Sequence, residues 1–234
     1  MKSIVIAAMA LLASGVTAVA AEATKYVMDV ADFTELKVIN GINVDYYSNP
    51  DSVGKAVFYA TKDQASSILL TNKKGKLVVE LGADVASSVG LPTVRVYSRF
   101  LSKVENSSDS LVRVVRMAPT ARFQAKLIGN GRIVVREVDA NEVDGSLSTG
   151  NGTLVISGSC QDANLSLVGT GAIQADGLKA VNVKCRNTGT GTIGCWPEKL
   201  LNISGAGSGK IYYRGTPEIK KSMALGVKVE RLVE

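Results

Sequence analysis

The sequence of 234 residues contains no histidine. That removes the nucleophilic triads built on imidazole and the zinc sites that depend on it. Cysteine is scarce: Cys160, Cys185 and Cys195 are the only three, and none stands in a Cys-X-X-Cys pair, so thiolate metal ribbons are disfavoured too. Aromatic residues make up 5% of the chain, which leaves little to stack on nucleic-acid bases. Proline is limited to five residues, so rigid breaks are few. Beyond the N-terminal stretch, no apolar run approaches the roughly 20 residues of a bilayer span.

Glycine, by contrast, is plentiful at 23 residues, and much of it is regularly placed. Five Gly-X-Gly turns stand at Gly129/Gly131, Gly150/Gly152, Gly169/Gly171, Gly189/Gly191 and Gly207/Gly209, at intervals of 21, 19, 20 and 18 residues. Two positions after each second glycine comes an apolar residue: Ile133, Leu154, Ile173, Ile193 and Ile211. Two further on stand Val135, Ile156, Ala175, Cys195 and Tyr213. A period near twenty that combines alternating strands with glycine corners indicates a coil of stacked rungs, each burying its inner face against its neighbours. Twenty residues at about 3.3 Å each give about 66 Å of path, enough for one circuit of a narrow coil whose strands pair in parallel. The glycine pairs supply positive φ at the corners. The expectation is an all-β, right-handed parallel β-helix-like coil over Leu127 to Tyr213, with the first five apolar residues in one buried column. Each rung is expected to divide into short strands such as Leu165–Leu167, Ile173–Ala175 and Val181–Val183. An antiparallel β-sandwich is the competing fold, but it does not require evenly spaced identical corners. The glycine pairs also lack the strand-to-helix step of a phosphate or dinucleotide loop.

The N-terminus reads as a signal peptide, residues 1–21. Lys2 precedes an apolar run from Ile4 to Ala13, and Ala18-Val19-Ala20-Ala21 offers a cleavage site after Ala20 or Ala21. An uncleaved membrane anchor is the alternative, against which stand the shortness of the run and its interruption by Ser14, Gly15 and Thr17. No cysteine stands near the cleavage site, so a lipid anchor is not expected. The net charge of +6 is compatible with contact to acidic sugars or anionic lipid, but a solvated basic face is its commoner meaning.

Between the leader and the repeat, Ile42, Val44 and Tyr46 alternate with polar neighbours, and Lys55 to Thr61, Lys76 to Leu81, Thr93 to Tyr97 and Leu111 to Met117 also read as strand. Gln64 to Leu70 is ambiguous: Asp63 could cap a short helix, while Ile68-Leu69-Leu70 suits a strand. Leu101 to Asp109 reads as a polar connection.

The order Phe33-Thr-Glu-Leu-Lys-Val-Ile-Asn-Gly41-Ile42-Asn43-Val44, Gly75-Lys-Leu-Val-Val, Val94-Arg-Val96-Tyr97, the Gly-X-Gly rungs and a closing Ile211-Tyr-Tyr-Arg-Gly-Thr-Pro217 resembles the bacterial family called putative auto-transporter adhesin, head GIN domain. Gly41-Ile42-Asn43 is the name-giving motif, and the resemblance runs over residues 32–217, leaving 218–234 as a C-terminal strand or tail. It implies a parallel β-helix or a closely similar coil in an exported protein, and it carries over no catalytic residue. No segment after Gly215 has the length of a translocating barrel.

The chemistry within reach is thin. Asp139, Glu142 and Asp144, with Arg132 and Arg136 nearby, are the one cluster that could serve a lyase or hydrolase acting on acidic polysaccharide. A glycosidase needs two carboxylates across a groove, whereas these fall in a short connection and read as a solvated turn. The arginines of the strands read as water-facing residues, and the tyrosines as core or sugar-stacking rings. Cys185 and Cys195 both fall on inward positions, where Leu165 and Ile203, and Val135 and Ile156, stand in neighbouring rungs. They could pair as a disulfide or remain buried thiols. The expectation is an exported, non-catalytic binding or adhesion protein of the periplasm, the outer surface or the medium. No partner is assigned beyond the exclusion of nucleic acid, a glycan or cell-envelope polymer being the kind of ligand such a surface suits, and no catalytic, cofactor-binding or metal residue is assigned.

Overall fold

A computed structural model describes residues 23–82 and 90–232; the leader with its Ala18-Val19-Ala20-Ala21 lies outside the described residues. The N-terminal part comprises β1 (Thr24–Asp29), β2 (Glu35–Val38), β3 (Val44–Ser48), β4 (Lys55–Ala60), helix α1 (Lys62–Ser66), β5 (Ile68–Lys73), β6 (Lys76–Leu81), β7 (Val94–Ser98), β8 (Lys103–Asn106) and β9 (Leu111–Arg116). The repeat comprises β10 (Thr120–Ile128), β11 (Arg132–Ser148), β12 (Thr153–Gly169), β13 (Ala172–Gly189), β14 (Thr192–Ala206), β15 (Lys210–Tyr213), β16 (Glu218–Leu225) and β17 (Lys228–Arg231). Together they form a β-solenoid of about 6 turns with stacked parallel coils.

Every pairing from β8 through β17 is parallel, which excludes the sandwich. Ile133, Leu154, Ile173, Ile193 and Ile211 are successive register partners and each is fully buried. The column runs further than expected, through Val112 and Val44 to Val94 at one end and to Val229 at the other. Burying one such β-branched or Leu side chain contributes about 1.5–3 kcal/mol, and the column repeats this at every rung. A second inward column, Leu127, Leu147 and Leu167, ends in asparagine on both sides, Asn106 and Asn187. Both are fully buried, and their amides donate to corner carbonyls: Asn106 to Ser110 at 2.8 Å, Asn187 to Gly191 at 2.9 Å.

The two glycines of each corner answer different needs. The first has positive φ, from 88° at Gly150 to 124° at Gly169 and Gly189. The second lies against the rung before it: a Cβ on Gly171 would stand 2.4 Å from the Gly152 carbonyl oxygen, and one on Gly191 2.5 Å from that of Gly171. These carbonyls accept the backbone N–H of Ala172 and Thr192 at 3.0 Å, so the corners form a hydrogen-bonded stack of their own.

Three local expectations are corrected. The rungs are not cut into two or three short strands. β11 to β14 run for 15 to 18 residues and bend at register shifts, as between Val135 and Val138, where Glu137 takes φ 56°. Lys103 to Asn106 is strand β8, because Leu101 and Val104 point into the core although their neighbours are polar. The segment after Ala60 is both helix and strand, and Thr61, not Asp63, caps the helix through a reciprocal box with Gln64.

The N-terminal rungs stack out of chain order. The β2–β3 rung lies between β6–β7 on one side and β8–β9 on the other. Gly41-Ile42-Asn43 forms its corner: Asn40 and Gly41 have positive φ, and Ile42 is fully buried. The Asn43 side chain accepts the Leu111 N–H at 2.9 Å, while its backbone carbonyl accepts that of Val94 at 3.0 Å. The motif thus ties two rungs to the one between them. Antiparallel strands β5, β4 and β1 cover the edge beyond.

Candidate binding face

One side of the solenoid is built from β10, the later parts of β11 to β13, the end of β14, and β16. Because strand residues alternate and the rungs are in register, outward side chains form columns. One column is Arg122, Glu142, Asp162 and Asn182; the next is Gln124, Asp144, Asn164, Lys184, Asn202 and Lys220; a third is Lys126, Ser146, Ser166, Arg186 and Ser204. Toward the N-terminal rungs the charges neutralise one another. Arg122 donates to Asp144 from Nε at 2.9 Å and from Nη2 at 2.5 Å, and stands 3.6 Å from Glu142. On the following rung, Asn164 Nδ2 donates to Glu142 at 3.1 Å and to Asp144 at 3.0 Å. Asn182 does the same for Asp162 at 2.9 Å.

Toward the C-terminal rungs the columns turn cationic and a groove opens. Lys184 and Arg186 are exposed and have no ion-pair partner among the described residues. The next rung contributes only Ser204, Gly205 and Ala206 to the groove. Gly205 is held at φ 143°, and a Cβ there would stand 1.8 Å from the Asn187 carbonyl oxygen, so the floor has to stay bare. The far wall rises on β16, where a register shift between Ile203 and Gly205 and a positive φ at Met223 throw Met223 outward. Met223 is 87% exposed and Leu225 73%. The groove has a volume of about 850 Å³ and takes in Ser166 and Thr188 as well, within the size range of small-ligand sites.

The acids singled out in the sequence do not lie on a turn. Asp139, Glu142 and Asp144 belong to β11 and pair with Ser159, Asp162 and Asn164 of the next rung; the turn-like composition of Asp139 to Gly145 misleads because a solenoid side tolerates polar outward residues at every second position. The cation of Glu142 and Asp144 is Arg122, not Arg132 or Arg136. Arg132 lies on the other side of the corner, between Leu111 and Thr153. Arg136 joins Arg113 and Val134 around a cleft of about 170 Å³. Glu142 and Asp144 stand side by side on a strand surface, and none of the three acids lines the groove beside Lys184 and Arg186. That is not the opposed geometry a glycosidase requires.

All three cysteines are free thiols, and all are buried. Cys185 is pushed well above the ordinary thiol value by its hydrogen bond to Cys195 and by burial. Cys160 is pushed up to about 12 by burial and by the charge of Asp162. The tyrosines divide between core and strand pairing: Tyr46 is fully buried and its hydroxyl meets that of Ser98 at 2.9 Å, and Tyr47 stacks on Tyr97 with centroids 5.5 Å apart. The groove was illegible because its walls are some 40 positions apart in the chain. Aligning the repeats would have set Arg186 beside Ser166 and Ser204, but nothing local marks the bulge at Met223.

Comparison with known proteins places this geometry in context. The family described as "putative auto-transporter adhesin, head GIN domain" matches residues 32–217. A solved putative adhesin from Bacteroides fragilis superposes with a TM-score of 0.83 at 18% identity, covering 91% of this chain and 98% of that one. A putative lipid binding protein from Parabacteroides distasonis gives 0.72 at 16%, over 91% and 97%. A putative adhesin from Parabacteroides merdae gives 0.68 at 19%, over 91% and 97%. At these identities the likeness is one of fold. No curated protein matches the sequence.

Proposed function

The chain belongs to the family described as putative auto-transporter adhesin, head GIN domain, and from that premise we propose that it is an exported, non-catalytic binding protein that holds an anionic cell-envelope component against its β10–β16 side. The observation that carries this reading is the open groove beside Lys184 and Arg186, on a face made rigid by parallel pairing and a continuous core. A preformed cationic groove binds without having to order itself first. Export is supported by Lys2, the apolar run that follows it and the small residues at Ala18 to Ala21. It agrees with the adhesin descriptions of the structural neighbours. Among the described residues no helix is long and apolar enough to cross a membrane. A non-catalytic role is supported by the pairing of Glu142 and Asp144 with Arg122 and Asn164, which takes these two carboxylates out of the opposed geometry of a glycosidase.

The test is a pull-down of envelope fractions at low and moderate salt, with the parent chain and a Lys184→Glu/Arg186→Glu variant. Binding by the parent that the charge reversal abolishes is the expected result; undiminished binding by the variant would remove the groove from the function. Fractionation of the producing cell, with N-terminal sequencing of the recovered chain, tests export: a chain that keeps Met1 and stays in the cytoplasm refutes it.

A further inference from the structure

The chemistry of the groove is divided along its width. Lys184 and Arg186 are two residues apart on β13, so their side chains leave the same face of the strand about 7 Å apart at the backbone. Both can reach one anionic group, the guanidinium through two parallel hydrogen bonds and the ammonium as a point charge. Hydroxyls of Ser166, Thr188 and Ser204 stand on the same side. The opposite wall is apolar: Met223 and Leu225, both on β16, two rungs from the strand that carries the cations. Large apolar side chains left this exposed along one line of an otherwise polar surface mark a contact site, and methionine adapts to flexible apolar partners.

The floor between the walls is one rung wide. With rungs about 4.8 Å apart, the backbones that carry the two walls are about 10 Å apart, and the small residues 204–206 leave a trench for a single extended chain. No aromatic ring lines it, so the stacking platform that favours a sugar ring is missing. The acids closest to the cations, Asp144, Glu142 and Asp162, are engaged by Arg122, Asn164 and Asn182, which leaves the cationic edge for an outside anion.

We propose, building on the binding role above, that the groove takes one single-chain anionic amphiphile, with its phosphate or carboxylate head on Lys184 and Arg186 and its alkyl chain along Met223 and Leu225. The head supplies the charge complement and the chain covers the apolar wall, so neither part alone accounts for the site.

Titration calorimetry of the full chain with dodecyl phosphate below its micellar concentration tests the proposal, with inorganic phosphate, dodecanol and polygalacturonate as comparison probes. Dodecyl phosphate is expected to bind at one molecule per chain, with inorganic phosphate and dodecanol both much weaker. Lys184→Gln/Arg186→Gln is expected to weaken dodecyl phosphate roughly tenfold to hundredfold, as for lost hydrogen bonds to a charged group. Met223→Ser/Leu225→Ser is expected to weaken it as well. All four side chains are exposed, and circular dichroism confirms that each variant remains folded. Equal affinity for inorganic phosphate would overturn the amphiphile and leave a plain anion site. Tight binding of polygalacturonate that depends on Lys184 and Arg186 but not on Met223 and Leu225 would overturn it while sparing the envelope-binding role. Dodecyl phosphate binding indifferent to both double variants would overturn the groove itself.

Discussion

Replacing Gly171 with alanine tests whether the solenoid is held at its corners by backbone contact. Gly171 is not among the glycines of positive φ, so alanine meets no conformational barrier there, only a lack of space. Its Cβ would stand 2.4 Å from the Gly152 oxygen and 2.9 Å from Leu147 Cδ1. Ordinary contact requires the rungs to part by about 1 Å at that point, yet Ala172 N–H to Gly152 O and Thr192 N–H to Gly171 O are both held at 3.0 Å. Losing one of these backbone bonds costs about 1 kcal/mol, and overpacking of this kind about 1–3 kcal/mol, so about 2–4 kcal/mol in all. At about 2–4 °C per kcal/mol for a domain of this size, Tm should fall by roughly 5–15 °C. Urea unfolding followed by far-ultraviolet circular dichroism measures the change, with Gly129→Asn as the counterpart. Gly129 has φ 98° and open space around it, and asparagine tolerates positive φ better than other side chains, so that variant should lose only the backbone cost, about 1 kcal/mol. Parent-like stability of Gly171→Ala, or a larger loss at Gly129, would refute the stacked-corner argument.

Ile173→Asp puts an unpaired charge into the centre of the inner column and should cost several kcal/mol; a cooperative unfolding curve like the parent's would contradict the burial of that column. Asn43→Ala removes the acceptor for the Leu111 N–H and should cost about 0.5–1.5 kcal/mol, with faster hydrogen exchange at Leu111 as the diagnostic. Burial raises the Glu105 carboxyl, but the Lys37 hydrogen bond at 3.0 Å and the charges of Lys37 and Lys126 outweigh it, so the group sits below its ordinary value. Its stabilisation is therefore present above the unfolded carboxylate pKa of about 4.3 and is lost as the pH falls through the lower folded value. Glu105→Gln should flatten the acid limb of the stability profile and leave the neutral region's slope unchanged. Native thiols should resist a disulfide reagent at neutral pH, because Cys160 is pushed up to about 12 and Cys185 well above the ordinary value; rapid labelling of the folded chain would be incompatible with their burial.

Where structure follows from a local repeat, the sequence disclosed it. The apolar positions after each Gly-X-Gly pair recur because every rung presents the same inward site, so Ile133 through Ile211 align from their spacing alone. The same alignment placed Cys185 opposite Leu165 and Ile203, and those are its register partners. What was hidden depends on contacts between distant or unlike segments. Val104 points inward from a polar stretch, because a two-residue period is weak over four residues. Asp144 looked solvated because its partner Arg122 lies a rung away. The position of β2–β3 between later rungs left no local trace, and neither did the groove, whose floor needs Gly205 and whose far wall needs the shift at Met223.

That interleaved first rung makes the molecule mechanically asymmetric. At the C-terminal end the last two strands pair on one side only, β17 with β15 and β16 with β14, so a pull there peels one row of hydrogen bonds at a time. At the N-terminal end, once β1 has come away from β4, tension reaches β2 and β3, which are gripped by β6 and β7 above and by β8 and β9 below. Both rows must shear together. The bidentate contact of Arg113 with Asp45, across 68 residues of chain, lies across that same path. A tether at the first residues would withstand drag that unravels the last ones, so the free end of the rod would fail before its root.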